Sequence, residues 1–221
     1  MDIRRREMLS VGALAMTGCL GGGSGAGGGG GGGDSVPLSS HPISEGLDEQ
    51  PSIGSSDADT RIVAFEDPSC HSCHSFETNV LPTMREEMID TGDTEFFYRL
   101  FTIPVQPWGT PASKALEATY ASDEDAFWEL KDFYYDEFDF STEDVMPRTR
   151  DFLSGKNVDA DTVVDGAENG EFDDEVESDR SVGRQAGIRG TPTFFLVRGN
   201  DVVTQVVGPQ STSVFRNALG L

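Results

Sequence analysis

From residue 61 onward, short apolar runs alternate with stretches in which apolar residues recur at three- and four-residue steps. Arg61-Ile62-Val63-Ala64-Phe65 predicts a buried strand, and Asp67-Pro68-Ser69 a turn and helix entrance. Cys73, Phe76, Val80, Met84 and Met88 then mark one face of a helix. Pro82 falls inside that pattern and predicts a kink about one turn before it. Thr91-Gly92-Asp93 ends the helix, and Glu95 to Phe101, rich in aromatics, predicts a second strand.

Between Pro111 and about Gly187 the strand signal is weak. Lys114 to Tyr120, Asp125 to Leu130, Val158 to Ala167 and Phe172 to Ala186 have helical spacing, predicting three or four helices in an inserted subdomain at about 111–187. Its aromatics, Phe127, Trp128, Phe133, Tyr134, Tyr135 and Phe138, are expected in the core and lining a groove. The chain returns to β at Gly190 to Arg198, with Pro192 at the strand entrance. Gly199-Asn200-Asp201 predicts a hairpin turn, Val202 to Val207 a strand, and Ser211 to Leu219 a closing helix capped by Ser or Thr. This order is α/β with mixed strand pairing. A proline that cannot donate to a ladder belongs at a sheet edge or against an active site.

The first 59 residues carry no such pattern. Arg4-Arg5-Arg6 precedes an apolar run, Met8 to Gly18, too short to span a bilayer, which fits an export signal and resembles the twin-arginine type. Met16-Thr17-Gly18-Cys19 resembles a lipobox, making Cys19 a lipidation site. Residues 1–19 are thus read as the signal. Residues 21 to 33 hold eleven glycines, and the stretch on to about Thr60 is Ser, Pro, Gly and acid with isolated apolar residues, so residues 20–59 are expected to be a flexible tether. His41 lies in it and is assigned no role. The formal net charge of -23 argues against nucleic acid or an anionic membrane surface as partner. With only three lysines, the acidic composition resembles that of proteins from salt-loving microbes. The acid clusters at Asp123 to Asp125 and Asp159 to Asp165 lack the alternating ligands and central glycine of a calcium loop and are read as solvated faces.

With Cys19 set aside, Cys70 and Cys73 remain, too few for a disulfide scaffold and therefore expected to be a working pair. Two thiols three residues apart at a helix start can close a small disulfide ring, and the helix N-terminus favours negative charge on the first sulfur. Cys70 is the expected nucleophile, Cys73 the resolving thiol, and His71 a cation or hydrogen-bond donor assisting between them. Cys70-His71-Ser72-Cys73-His74 also fits c-type haem attachment, with His74 and a methionine such as Met84, Met88 or Met146 as axial ligands. A third reading is a metal-binding or copper-delivery module using Cys70, His71, Cys73 and His74, but one helical turn cannot aim all four at a tetrahedral ion. The favoured reading needs no metal and no cofactor beyond a redox-active Cys70–Cys73 disulfide.

The strand, the Cys-x-x-Cys at a helix head, the helical insertion and Gly190-Thr191-Pro192-Thr193-Phe194 together resemble the DsbA-like branch of the thioredoxin superfamily over residues 60–221. The resemblance implies a thioredoxin fold with an inserted helical subdomain and a cis Thr191–Pro192 peptide that faces the cysteines and binds the substrate backbone. It also implies thiol-disulfide exchange, acting as oxidant, with thiol-containing exported proteins, and a membrane redox partner that recycles the pair. With a lipid on Cys19, the expected location is the outer face of the cell membrane. Two departures stand out: His71-Ser72 lies between the cysteines, and Ala64 occupies the position where many members carry a buried acid. Glu66 or Asp67 could serve Cys73 in its place, or be plain turn residues.

Overall fold

A computed structural model describes residues 35–103 and 106–221; the expected signal, the lipidation site Cys19 and the glycine run lie outside the described residues. The elements in chain order are β1 (Val36–Pro37), three short 3-10 turns between Leu38 and Glu49, β2 (Ser52–Ile53), β3 (Thr60–Glu66), α1 (His71–Asn79), α2 (Leu81–Met84) and a π-helical turn (Arg85–Ile89). There follow β4 (Thr94–Leu100), α3 (Gly109–Ser122), α4 (Glu124–Glu137), α5 (Val145–Leu153), α6 (Ala160–Glu168), α7 (Asp173–Gln185), β5 (Thr193–Arg198), β6 (Asp201–Val207) and α8 (Thr212–Leu219).

The six strands form one sheet in the order β1-β6-β5-β3-β4-β2. β3 and β4 are parallel and joined through α1 and α2; the other pairings are antiparallel. Alternation along β3 sends Ile62 and Ala64 to one face and Val63 and Phe65 to the other. The first face packs on α1, α2, α8 and most of the insertion, with Phe76, Met84, Leu116, Leu130 and Phe215 in one buried cluster. The second face is covered by Ile43, Leu47, Val182 and Ile188.

The tether reading fails for residues 36–59. Ile43 is 0% exposed and Leu47 is buried beside Phe65 and Phe195. The ring of His41 lies 5.0 Å from that of Phe195, and its Nδ1 accepts from the backbone N–H of Ile43. β1 pairs with β6 and β2 with β4, so this arm runs beneath the sheet and closes both edges. It is fastened by Arg99, in a buried ion pair with Asp179 at 2.8 Å, which also donates to the Glu45 carbonyl. A few well-placed apolar residues suffice because the sheet supplies the remaining partners.

Three smaller expectations change. The helix after the cysteines breaks at Val80, two residues before Pro82, and Pro82 opens the next helix, where its missing N–H costs no bond. The insertion holds five helices, α3 to α7, rather than three or four. Ser211 takes the N-cap position of α8, but its hydroxyl pairs with that of Ser213 instead of a backbone N–H. Asp123 and Asp159 cap α4 and α6 by accepting from the N–H groups of Ala126 and Thr162.

Candidate active site

β3 delivers the chain to the site and α1 receives it. At the turn between them, Asp67 Oδ1 accepts from the Ser69 N–H at 2.8 Å and the Ser69 hydroxyl at 2.7 Å, and Oδ2 accepts from the Ile103 N–H at 2.9 Å. The start of α3 presses on this turn so closely that a Cβ on Gly109 would come within 2.5 Å of Ser69 Oγ. Asp67 is thus a satisfied turn residue, and it fixes where the next sulfur sits.

Cys70 is the N-cap of α1 and keeps 9% exposure, while Cys73, one turn in, has none; both are free thiols. The Cys70 thiol is pulled down to about 5 by hydrogen bonding from Cys73, helped by Thr191 and the backbone N–H groups of Cys73 and Ser72, against the effect of burial. Those amides are the unpaired donors of a helix start, which is why a sulfur there carries negative charge cheaply. Burial pushes the Cys73 thiol well above its usual range, reinforced by its bond to Cys70 and the charge of Glu66. At neutral pH the pair is therefore a thiolate backed by a thiol.

The Thr191–Pro192 peptide is cis and closes over this sulfur, with the Cys70 S–H donating to the Thr191 carbonyl at 3.4 Å. The Thr191 hydroxyl is buried without a partner in this dithiol state, leaving it free to donate to a thiolate. Pro192 does not lie on an edge strand: β5 sits between β6 and β3, and the Pro192 carbonyl accepts from the Gly208 N–H at 2.9 Å. The sequence therefore brings Cys70, Cys73, Thr191 and Pro192 together.

His71 is placed differently from expectation. Its exposed ring packs edge-on against Phe138, with centroids 5.1 Å apart, and forms no hydrogen bond to either sulfur. His74 lies over the same ring at 4.4 Å. Met84 and Met88 are fully buried in the core, and Cys73 has no exposed surface. Among the described residues, no cluster of three or more His, Cys, Asp or Glu side chains is arranged to hold a metal ion.

Beneath Cys73 lies a polar cluster that sequence reasoning missed in large part. Glu66, Glu77 and Lys131 are buried, Lys131 Nζ donating to Glu77 Oε2 at 2.5 Å. The ammonium is boxed by the rings of Tyr98, Trp128 and Tyr135. The Tyr135 hydroxyl donates to Glu66 Oε2 at 3.4 Å and lies 3.0 Å from that of Tyr98. One oxygen on each glutamate, Oε1, has no partner. Burial and the neighbouring Glu77 hold the Glu66 carboxyl well above the usual range, with Lys131 opposing; burial likewise raises Glu77. Burial works against the Lys131 charge, but Glu77 and Asp132 more than offset it. Glu77 and Asp132 pair with the ammonium directly, at 2.5 and 2.8 Å, and the raised carboxyl of Glu66 lies beside Glu77. The available signals were Glu77 on the buried face of the helix after the cysteines and a rare lysine inside an aromatic run.

The comparisons agree with this geometry. The Thioredoxin family model matches residues 47–211. Disulfide bond formation protein D of Bacillus subtilis (strain 168) is 28% identical over 163 residues, covering 72% of this chain and 71% of that protein. Probable disulfide bond formation protein D of Bacillus cereus is 28% identical over 157 residues, covering 68% and 71%. Among solved structures, oxidised BdbD from Bacillus subtilis matches with a TM-score of 0.68 at 19% identity, covering 79% of this chain and 95% of that one. Wolbachia pipientis α-DsbA1 matches with a TM-score of 0.65 at 20% identity, covering 79% and 90%, a likeness of fold. Since the family match runs from Leu47 in the arm through β6, taking in the sheet, the helical insertion and both halves of the cysteine site, the chain belongs to the thioredoxin family.

Proposed function

We infer that this chain is a protein thiol-disulfide oxidoreductase that acts as oxidant, passing a disulfide from Cys70–Cys73 to the thiols of exported proteins. The observation that carries the reading is the asymmetry of the pair: a lowered, partly exposed thiol at Cys70 and a raised, enclosed one at Cys73. Starting from the disulfide, a substrate thiolate attacks Cys70 Sγ, the Cys70–Cys73 bond breaks, and Cys73 leaves with the electron pair and takes up a proton. A second substrate thiolate then attacks the substrate sulfur of the mixed disulfide, and Cys70 leaves as a thiolate. The substrate has lost two electrons and the pair has gained them. A leaving thiolate of low pKa departs quickly, and stabilising it favours the reduced protein, which makes the disulfide a strong oxidant.

Glu66 is the group suited to supply the Cys73 proton: burial and Glu77 raise its carboxyl well above the usual carboxylate range, it acts electrostatically on the Cys73 thiol, and Asp67 is already fully engaged. Thr191 and Pro192 are assigned to the substrate backbone beside Cys70. In this reading residues 1–19 export the chain and Cys19 carries the lipid, which sets the domain on the outer face of the membrane beside the redox partner that reoxidises it. The basic front, short apolar run and small residues before Cys19 support that address, and the charge of -23 with few lysines supports a salt-rich setting. No helix among the described residues is long and apolar enough to cross a membrane.

The test is capture. Cys73→Ala, with Cys70 first converted to its mixed disulfide with 2-nitro-5-thiobenzoate, should exchange with reduced protein substrates, the nitrothiobenzoate leaving as thiolate, to give Cys70–substrate disulfides that dithiothreitol releases on non-reducing gels, and Cys70→Ser should abolish oxidation of a dithiol peptide. Full peptide oxidation by Cys70→Ser would overturn the assignment.

A further inference from the structure

Phe138 is the one non-glycine residue with a positive φ, 43°, among the described residues, and it sits at the C-cap of α4. Glycine or asparagine ordinarily takes such a position, because the left-handed region crowds a bulky side chain. Strain of this kind persists where surrounding contacts over-determine it, and it clusters at functional sites. Here the contacts are specific. The Phe138 ring lies 4.4 Å from His74 at an interplanar angle of 32°, 5.1 Å from His71 at 83°, and 5.9 Å from Trp108 at 76°. Trp108 directly precedes Gly109, which is pressed onto the Asp67–Ser69 turn. A single ring from the insertion thus touches both imidazoles of the helix that carries the cysteines.

The consequence falls on His71, whose backbone adjoins that of Cys70. Its ring is exposed, so other rotamers are open to it, and an imidazole N–H directed at the thiolate would form a charge-assisted hydrogen bond. It instead lies edge-on to Phe138, and the Cys70 sulfur takes its stabilisation from Cys73, Thr191 and backbone amides. We propose that Phe138 is a positioning residue that holds His71 off the Cys70 sulfur, so that the helix start and Thr191, not an imidazole, set the balance between the dithiol and the disulfide. This rests on the disulfide-exchange reading above and names the residue that tunes it. The left-handed backbone is what aims the ring at α1.

The experiment is equilibration with glutathione, in which the protein disulfide and two glutathione thiols give the protein dithiol and one glutathione disulfide. Phe138→Leu frees His71 to reach the thiolate and should move the equilibrium constant toward the dithiol by about threefold to tenfold, the range of a partly exposed charge-assisted hydrogen bond. Phe138→Tyr, which restores the ring, should restore the wild-type constant. In a His71→Ala background, Phe138→Leu should produce no shift. An equal shift in that background would overturn the proposal, since the effect would then come from packing; so would a folded Phe138→Leu protein with an unchanged constant. Phe138→Gly keeps the left-handed backbone without the ring and should reproduce the leucine result if the leucine variant does not fold. The proposal and the oxidase reading fail separately: wild-type protein that never oxidises a dithiol peptide sinks the oxidase reading, whereas the equilibrium is read on the protein's own cysteines.

Discussion

Glu66 and Asp67 are adjacent in sequence and opposite in circumstance. Asp67 points into the turn and accepts three hydrogen bonds; Glu66 points into the core and keeps one oxygen unpartnered. Because the Glu66 pKa is raised in the folded protein, its favourable contribution is complete below the reference value of 4.5 and is lost as pH rises through the raised folded value. Above that, ionised Glu66 works against the fold. Glu66→Gln should therefore match wild type near pH 4 and exceed it by about 1–2 kcal/mol at pH 8 in urea denaturation of the reduced protein. It should also slow reduction of the Cys70–Cys73 disulfide about tenfold or more. A less stable variant at pH 8 would mean that Glu66 is an ionised partner of Lys131. Ala64 in the expected acid position had pointed to a missing group, yet residues 64 and 66 share a strand face, so the acid has moved by one alternation. That much is legible in the pattern. What buries Glu66 is not, because Tyr98, Lys131 and Tyr135 arrive from β4 and α4.

At the level of elements, the arm and the insertion show which signals a sequence carries. Strands β3 to β6 and helix α8 are contiguous apolar or periodic runs, and each is predicted within a few residues of where it lies. The arm is anchored by isolated residues, chiefly Ile43 and Leu47, set among prolines, acids and short 3-10 turns, so it has no period to detect. Helix α5 lies outside the expected helical runs and carries Pro147 in its first turn, where a missing N–H breaks no intrahelical bond. Ile43→Ala should lower stability by about 2–4 kcal/mol, measured by chemical denaturation, since it opens a cavity under the sheet. It should leave the Cys70 thiolate titration in place, because the cysteines lie on the other face. A change below about 0.5 kcal/mol, as expected of a surface position, would restore the tether reading.

For the whole molecule, 39 acids against 16 bases produce a self-repelling surface. Screening shrinks from about 10 Å at 0.1 M salt to about 3 Å at 1 M. The thermal midpoint should therefore rise steadily between these concentrations of potassium chloride, beyond the point at which isolated surface ion pairs would have been screened out. A midpoint that falls over the same range would mean that the surface ion pairs outweigh the repulsion. The place on the sheet at which the arm begins is also fixed. Val36 pairs with Val202, at the hairpin end of β6, while Val207 at the other end pairs with Thr193 beside Pro192. The arm thus begins roughly 17 Å along the strand from the cysteine end, at about 3.4 Å per residue.

The arm that covers both edges also links the order of synthesis to the finished sheet. Residues 36–37 lie before every other element, but their partner strand is the last one made, ending at Val207. A nascent chain that has not yet reached β6 has no edge on which to lay β1, and its arm stays unclasped. Docking of the first segment therefore reports that the last strand is in place, so the arm is seated only on a complete domain.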